Sequence, residues 1–238
     1  MDNRKPVYLF AGGRGKGILD TFSGVRSFIR SIDKVKPDIA YVGVASFEDS
    51  GMFYFISSAL SKTGCDCRLD RVLIASKNAN LDKARKMLQS ADAIFISGGD
   101  MEAGMRILKE KNMVGFFQEL YKEGKLFFGV SAGSIMLAKE WVRWENVDDD
   151  STAELFPCLG IAPIICDTHA EEDDWAELKT ALQVGGNGTL GYGIPSGSCL
   201  KVYPDGSLEA RSGSVTRYIL KNGKVERQPD LLPADDKI

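Results

Sequence analysis

Leu126-Phe127-Phe128-Gly129-Val130-Ser131-Ala132-Gly133-Ser134-Ile135-Met136-Leu137-Ala138 decides how this chain is read. An apolar run suited to a buried strand passes straight into small residues and then into a helical apolar pattern. Small residues at 129, 132 and 133 let the backbone turn sharply. The turn sets Ser131 at the head of a helix, where amide groups lack intrahelical partners. Strand, tight turn and helix in this order suit a nucleophilic serine; a strand-to-helix turn with a capping serine is the simpler reading of the same residues. A serine hydroxyl is a weak nucleophile at neutral pH and needs a base. The chain has one histidine, His169, in Cys166-Asp167-Thr168-His169, 38 residues beyond Ser131. Imidazole is the usual partner for such a serine.

Upstream, apolar β-branched runs alternate with amphipathic ones. Strands are expected at 7–10, 39–45, 68–74, 93–97 and 126–130. Helices are expected at 19–32, 51–63 and 81–90, with one or two more reaching 122 and another at 132–139. This alternation predicts an α/β fold, a mostly parallel sheet flanked by helices on both faces. Ligands of such sheets gather beyond the carboxyl ends of the strands, which puts Ser97-Gly98-Gly99-Asp100 and Ser131 along one edge. Past Gly160 a strand at 161–166 and a helix at 173–182 precede short strands at 191–194, 198–203, 208–212 and 215–220. Pro204-Asp205-Gly206 and Lys221-Asn222-Gly223 read as hairpin turns. The C-terminal quarter is therefore expected to extend the same sheet with antiparallel hairpins. No linker or repeat interrupts the chain, so a single domain over 1–238 is expected, with a loosely held tail after Pro229.

The composition, 44% hydrophobic and 26% charged, is that of a globular protein. A net charge of −3 gives no electrostatic reason to expect nucleic acid or an anionic membrane as partner. No run approaches the roughly 20 apolar residues of a membrane span. Residues 1–10 lack an apolar run of signal-peptide length, and a cytoplasmic protein, monomer or homodimer, is expected. Five cysteines, an odd count, suit reduced thiols. Cys65-Asp66-Cys67 is too tight for the common zinc spacing, and no metal or other cofactor is expected.

Two glycine-rich segments bear on ligands. In Ser97-Gly98-Gly99-Asp100, paired glycines after a buried strand allow close backbone approach to a ligand. One of their amides can join the Ala132 amide in binding an oxyanion, at about 3 kcal/mol per donor. The same residues also read as a helix start capped by Asp100. Gly12-Gly13-Arg14-Gly15-Lys16-Gly17 invites a nucleotide reading that fails on spacing. Phe10 stands where a phosphate-binding loop needs its first glycine, Gly17 where it needs a hydroxyl, and Ile18 where a dinucleotide fingerprint needs its third glycine. A loop flanking the site at the sheet's carboxyl edge is the better reading.

With the Ser131 turn, the Ser97–Asp100 loop, Asp167-Thr168-His169 and Gly193-Ile194-Pro195-Ser196-Gly197-Ser198 in this order, the chain resembles the peptidase E and cyanophycinase family. Those are serine peptidases on a class I glutamine-amidotransferase-like fold, a flavodoxin-like three-layer sandwich. The resemblance covers nearly the whole chain. It implies Ser131 as nucleophile, His169 as general base, an oxyanion hole from the Gly99 and Ala132 amides, and a small peptide or amide as substrate. Related amidotransferases carry cysteine at the turn; serine here disfavours glutamine hydrolysis.

Two positions depart from the family. Its third triad member is a glutamate in a Pro-Glu-Gly context, where this chain has Pro195-Ser196-Gly197. Either Ser196 serves there, or another carboxylate such as Asp167 or Glu171 stands in, or the protein is slow. The family also carries arginines after the histidine that receive aspartyl carboxylates; here the stretch is Ala170-Glu171-Glu172-Asp173-Asp174-Trp175. Acidic chains there favour a neutral or cationic substrate. Gly98, Asp100, Asp167, Glu171 and Asp173 are the residues expected to meet substrate. Three rival readings are a catalytically weak or inactive ligand-binding member of the same fold, an esterase and a nucleotide-dependent enzyme using the Gly12–Gly17 loop. The esterase normally places its histidine last, whereas 69 residues follow His169 here.

Overall fold

The chain begins with β1 (Val7–Phe10), α1 (Lys16–Arg30), β2 (Asp38–Val42), α2 (Ser50–Lys62), β3 (Arg68–Val72), α3 (Leu81–Ser90) and β4 (Ala93–Ile96). It continues through α4 (Met101–Glu110), α5 (Val114–Lys122), β5 (Leu126–Val130) and α6 (Ala132–Leu137). Next come β6 (Glu140–Trp144), β7 (Ala153–Pro157), β8 (Ile165–Thr168), α7 (Ala176–Gly185) and β9 (Leu190–Ile194). The last elements are β10 (Cys199–Val202), β11 (Leu208–Arg211), β12 (Val215–Lys221) and β13 (Lys224–Leu231). This computed structural model describes residues 2–13, 15–146 and 148–233.

Seven of the described strands form the main sheet, in the order β11-β10-β1-β5-β4-β2-β3. β1 to β5 run parallel, and β10 and β11 add antiparallel strands beside β1. Side chains alternate across a strand, and the alternation sorts the core into two layers. Phe10, Tyr41, Phe95 and Phe128 face α1 and α2, meeting Val25, Phe28, Ile56 and Leu60. Phe95 and Phe128 stack at 4.7 Å between ring centroids, with their planes nearly parallel at 4°. Leu9, Val42, Ile94, Ile96 and Phe127 face the other way, toward the apolar sides of α3, α4, α5 and α6. Side-chain caps fix three helix starts: Asp49 accepts from the Met52 amide, Asn80 from Lys83 and Asp100 from Ala103. Such a cap contributes about 1 kcal/mol.

The C-terminal part departs from the expected single extension. Only β10 and β11 join the main sheet; β13, β12, β9 and β8 form a separate four-stranded sheet in that order. The reason lies in the glycines of β9. A Cβ at Gly191 would press on Leu178 and Leu182 of α7, and one at Gly193 on the Trp175 indole. The bare face of β9 is thus filled by α7 and the residue before it, and β8 pairs with it in parallel. Periodicity locates strands without saying which sheet they join. The first residues expected in the loose tail are strand, since β13 runs through Pro229 to Leu231 against β12. A proline is tolerated there because β13 is an edge strand. Asn222 and Gly223, with φ of 51° and 73°, form the tight turn between them. Residues 234–238 lie outside the described residues.

Between α6 and β8 the chain forms a hairpin, β6 with β7, that the sequence reading passed over. The chain crosses from the smaller sheet to the main one between Ile194 of β9 and Cys199 of β10, and this crossing is bonded to the end of β1: Ala11 N–H donates to Ser198 O at 3.0 Å and Gly197 N–H to Gly12 O at 3.0 Å. No described helix is long and apolar enough to cross a membrane.

Candidate active site

Ser131 leaves β5 with φ 56° and ψ −129°, a conformation that side-chain-bearing residues avoid and that costs about 1–3 kcal/mol. Its surroundings hold it there. The Ser131 amide donates to Phe10 O at 3.0 Å, the Ser134 amide donates to Ser131 O at 2.8 Å, and the Ser134 hydroxyl donates to Phe10 O at 2.9 Å. Gly133 lets α6 press on β4, for a Cβ there would collide with the Ile96 and Ser97 carbonyls. We therefore expect Gly133→Ala to destabilise the fold by about 1–3 kcal/mol, through overpacking against immovable backbone. Urea denaturation measures it, and an unchanged midpoint would contradict this account of the turn.

His169 stands at the end of β8, on the four-stranded sheet, with φ 45°. Its amide donates to Ile194 O at 2.9 Å. The imidazole reaches across to the main sheet, where Nε2 lies 2.7 Å from Ser131 Oγ. With the ring proton on Nδ1, Nε2 accepts the hydroxyl hydrogen. Gly12 lies against both groups, since a Cβ there would sit 3.4 Å from Ser131 Cβ and 3.8 Å from His169 Cδ2. The Gly12–Gly17 loop thus borders the pair, although Arg14 lies outside the described residues.

The pair opens into a cavity of about 390 Å³. Gly99 and Ala132 line it beside Ser131. Gly99 has φ 141°, and a Cβ on it would collide with the Ala45 carbonyl. That same carbonyl accepts the Asp100 amide at 2.7 Å, pinning the loop. Gly98 packs on the serine, its notional Cβ 3.0 Å from Ser131 Cβ. Asp100 proves to be both a lining residue and the cap of α4. The reading of Gly-Gly-Asp as a helix start capped by Asp100 holds, on a loop that also borders the cavity.

Asp167 and Glu177 also line the cavity. Asp167 is 5% exposed and accepts the Thr168 amide at 2.7 Å. Burial pushes its carboxyl up to about 7; the Thr168 bond opposes the rise, and the charges of Glu177, Asp173 and Glu171 add to it. Burial raises Glu177 as well, helped by Asp173 and opposed by a bond from Trp141. The β6–β7 hairpin adds Trp141, Arg143 and Trp144 to the wall. Arg143 is already engaged, with Glu154 at 2.5 Å and Glu102 at 3.8 Å. The β-forming Trp141, Val142 and Trp144 are the available signal for this hairpin.

Ser196, Glu171 and Asp173 are not part of the cavity's described lining. The Ser196 amide donates to Glu171 Oε1 at 3.0 Å, and Asp173 Oδ1 accepts the Trp175 amide at 3.0 Å. Among the described residues, no hydrogen bond joins Ser196 to His169. A larger cavity, about 470 Å³, lies between α1 and the β10–β11 edge, away from the serine and histidine.

The model of peptidase family S51 matches residues 9–208, and the chain belongs to that family. A crystal structure of a peptidase from an acI-B1 Actinobacterium superposes with TM-score 0.70 at 17% identity, over 98% of this chain and 96% of that one. A peptidase E protein from Listeria monocytogenes EGD-e superposes with TM-score 0.64 at 16% identity, over 87% and 98% respectively. At these identities the likeness is one of fold. Among curated proteins, the pyridoxal 5'-phosphate synthase subunit PdxT of Pasteurella multocida (strain Pm70) is 28% identical over 112 residues, 47% of this chain and 53% of that protein. Its counterpart in Thermosipho africanus (strain TCF52B) is 32% identical over 81 residues, 33% of this chain and 43% of that protein. The chain thus spans about half the length of the curated relatives it matches.

Proposed function

We propose that the protein is a serine peptidase that hydrolyses a small peptide or amide through Ser131 and His169, as one catalytic unit over 1–238. The observation that carries this reading is the 2.7 Å approach of His169 Nε2 to Ser131 Oγ beside an open cavity. His169 takes the hydroxyl proton as Ser131 Oγ attacks the substrate carbonyl. The Gly99 and Ala132 amides receive the negative charge that forms on the carbonyl oxygen. The imidazolium then protonates the leaving amine, and water, activated by the same imidazole, releases the acyl group. A fluorophosphonate probe tests the reading: an adduct on Ser131 is expected. No adduct, under conditions that label a control hydrolase, would favour the ligand-binding reading.

The cavity wall supports a substrate preference. Asp100 and Glu102 line it with Asp167 and Glu177, whose burial favours the uncharged acid, whereas Arg143, its only arginine or lysine among the described lining residues, is occupied by Glu102 and Glu154. An aspartyl side chain would meet carboxylates without a free cation to receive it, at an effective cost of about 1–3 kcal/mol. We expect neutral and Lys- or Arg-containing dipeptides to be cleaved at least about tenfold faster than Asp-X dipeptides. A clear preference for Asp-X in a kcat/KM comparison would sink this part of the proposal.

A further inference from the structure

The loop behind the imidazole contains a carboxylate with no partner role so far. β8 and β9 are parallel and in register, with Thr168 opposite Ile194, and the His169 amide bonds Ile194 O. His169 and Pro195 are therefore the first residues beyond the paired ends. The chain after His169 closes into a short turn, Glu171–Asp173, which carries Glu171 back to the segment after β9. There Glu171 Oε1 accepts the Ser196 amide at 3.0 Å. Ser196 is fixed in turn from its other side, since a Cβ on Gly13 or Gly17 would collide with its side chain, and Gly197 N–H bonds Gly12 O. A carboxylate two residues from the histidine is thereby anchored to the loop that flanks it.

Resting on the peptidase reading, we infer that Glu171 is the positioning residue for His169, with Ser196 as its anchor rather than as a triad member. Five of the neighbouring carboxylates are otherwise committed. Asp173 closes its own turn on Trp175, Asp174 pairs with Lys179 at 2.6 Å, and Asp100 caps α4. Glu102 lies toward Arg143, and Glu177 takes the Trp141 bond. Asp167, the other candidate, is pushed up to about 7 by burial, so at neutral pH it spends much of its time uncharged. Glu171 behaves oppositely. Burial raises it, but bonds from Ser196 and the nearby His169 outweigh that and hold it below the ordinary carboxylate range. A carboxylate that stays charged is the one able to hold the Nδ1–H tautomer and stabilise the imidazolium.

The test uses the full chain and its one histidine, whose ring nitrogens give a single set of ¹⁵N resonances. The wild type is expected to show a proton on Nδ1 and a free acceptor at Nε2. In Glu171→Gln the tautomers mix, fluorophosphonate labelling slows about a hundredfold or more, and the acid limb of its pH profile moves to lower pH. Glu171→Asp stays within about tenfold of wild type. Returning a carboxylate to the loop in a Glu171→Gln/Ser196→Glu double variant speeds labelling again. Labelling of Glu171→Gln within about twofold of wild type, an unchanged imidazole spectrum, or a double variant no faster than Glu171→Gln would each overturn the assignment. If wild-type Ser131 takes no label, the peptidase reading fails, and the tautomer measurement still judges Glu171.

Discussion

Ser131→Ala is expected to abolish fluorophosphonate labelling and to lower hydrolysis by about a million-fold, the scale seen when a serine hydrolase loses its nucleophile. The same position supplies a second, opposite readout. Ser131 holds φ 56° and ψ −129°, a region that glycine alone adopts freely. Ser131→Gly should therefore lose activity as completely as Ser131→Ala while gaining stability, by about 1 kcal/mol after glycine's own entropic cost is subtracted. Ser131→Ala keeps the strain and should leave stability close to wild type. Chemical denaturation of the two variants side by side measures the difference. Equal stabilities would mean that the turn is not strained, and retained hydrolysis in either variant would remove Ser131 from the mechanism.

Asp167→Asn should make the protein more stable at pH 8 than at pH 5, relative to wild type. The sign follows from proton linkage. Burial lifts the folded-state carboxyl to about 7 from an ordinary 3.8, so between roughly pH 4 and 7 the folded chain holds a proton that the unfolded chain has released. Raising pH through that window therefore costs stability, up to about 4 kcal/mol for a rise of this size. An asparagine cannot ionise, and its side-chain oxygen can still accept the Thr168 amide that Asp167 accepts at 2.7 Å. The variant should match wild type near pH 4 and exceed it by about 2–4 kcal/mol at pH 8. Urea midpoints across that range decide the matter; a difference independent of pH would mean that Asp167 is ionised without penalty.

Much of the fold was legible because its signals are local. The strand 126–130 and helix 81–90 fall where expected to the residue, since an apolar run and an amphipathic pattern mark them without help from elsewhere. The second strand ends at Val42 rather than at 45, because Val44 and Ala45, as apolar as what precedes them, coil with Ser46 into a short 3₁₀ turn. The separate four-stranded sheet was not legible, since it depends on Trp175, Leu178 and Leu182 filling the glycine face of β9. The site divides in the same way. A single serine turn and a single histidine point to each other by elimination. Trp141, Arg143, Trp144 and Glu177 come to the cavity through a hairpin and a helix whose docking no spacing rule encodes. Ser196 was expected to face the histidine, and its nearest bonded partner is instead Glu171.

Ser131 rides on the main sheet and His169 on the smaller one. Neither framework alone stores the distance between nucleophile and base. It is an alignment, kept by the short crossing from β9 to β10, whose Gly197 and Ser198 are bonded to Gly12 and Ala11. Because a misplacement of roughly 1 Å can cost a reaction about a hundredfold, a slight slip of one framework past the other would silence the chemistry while every strand stayed intact. Turnover is then a gauge of registration between two bodies, more sensitive to their join than to the stability of either.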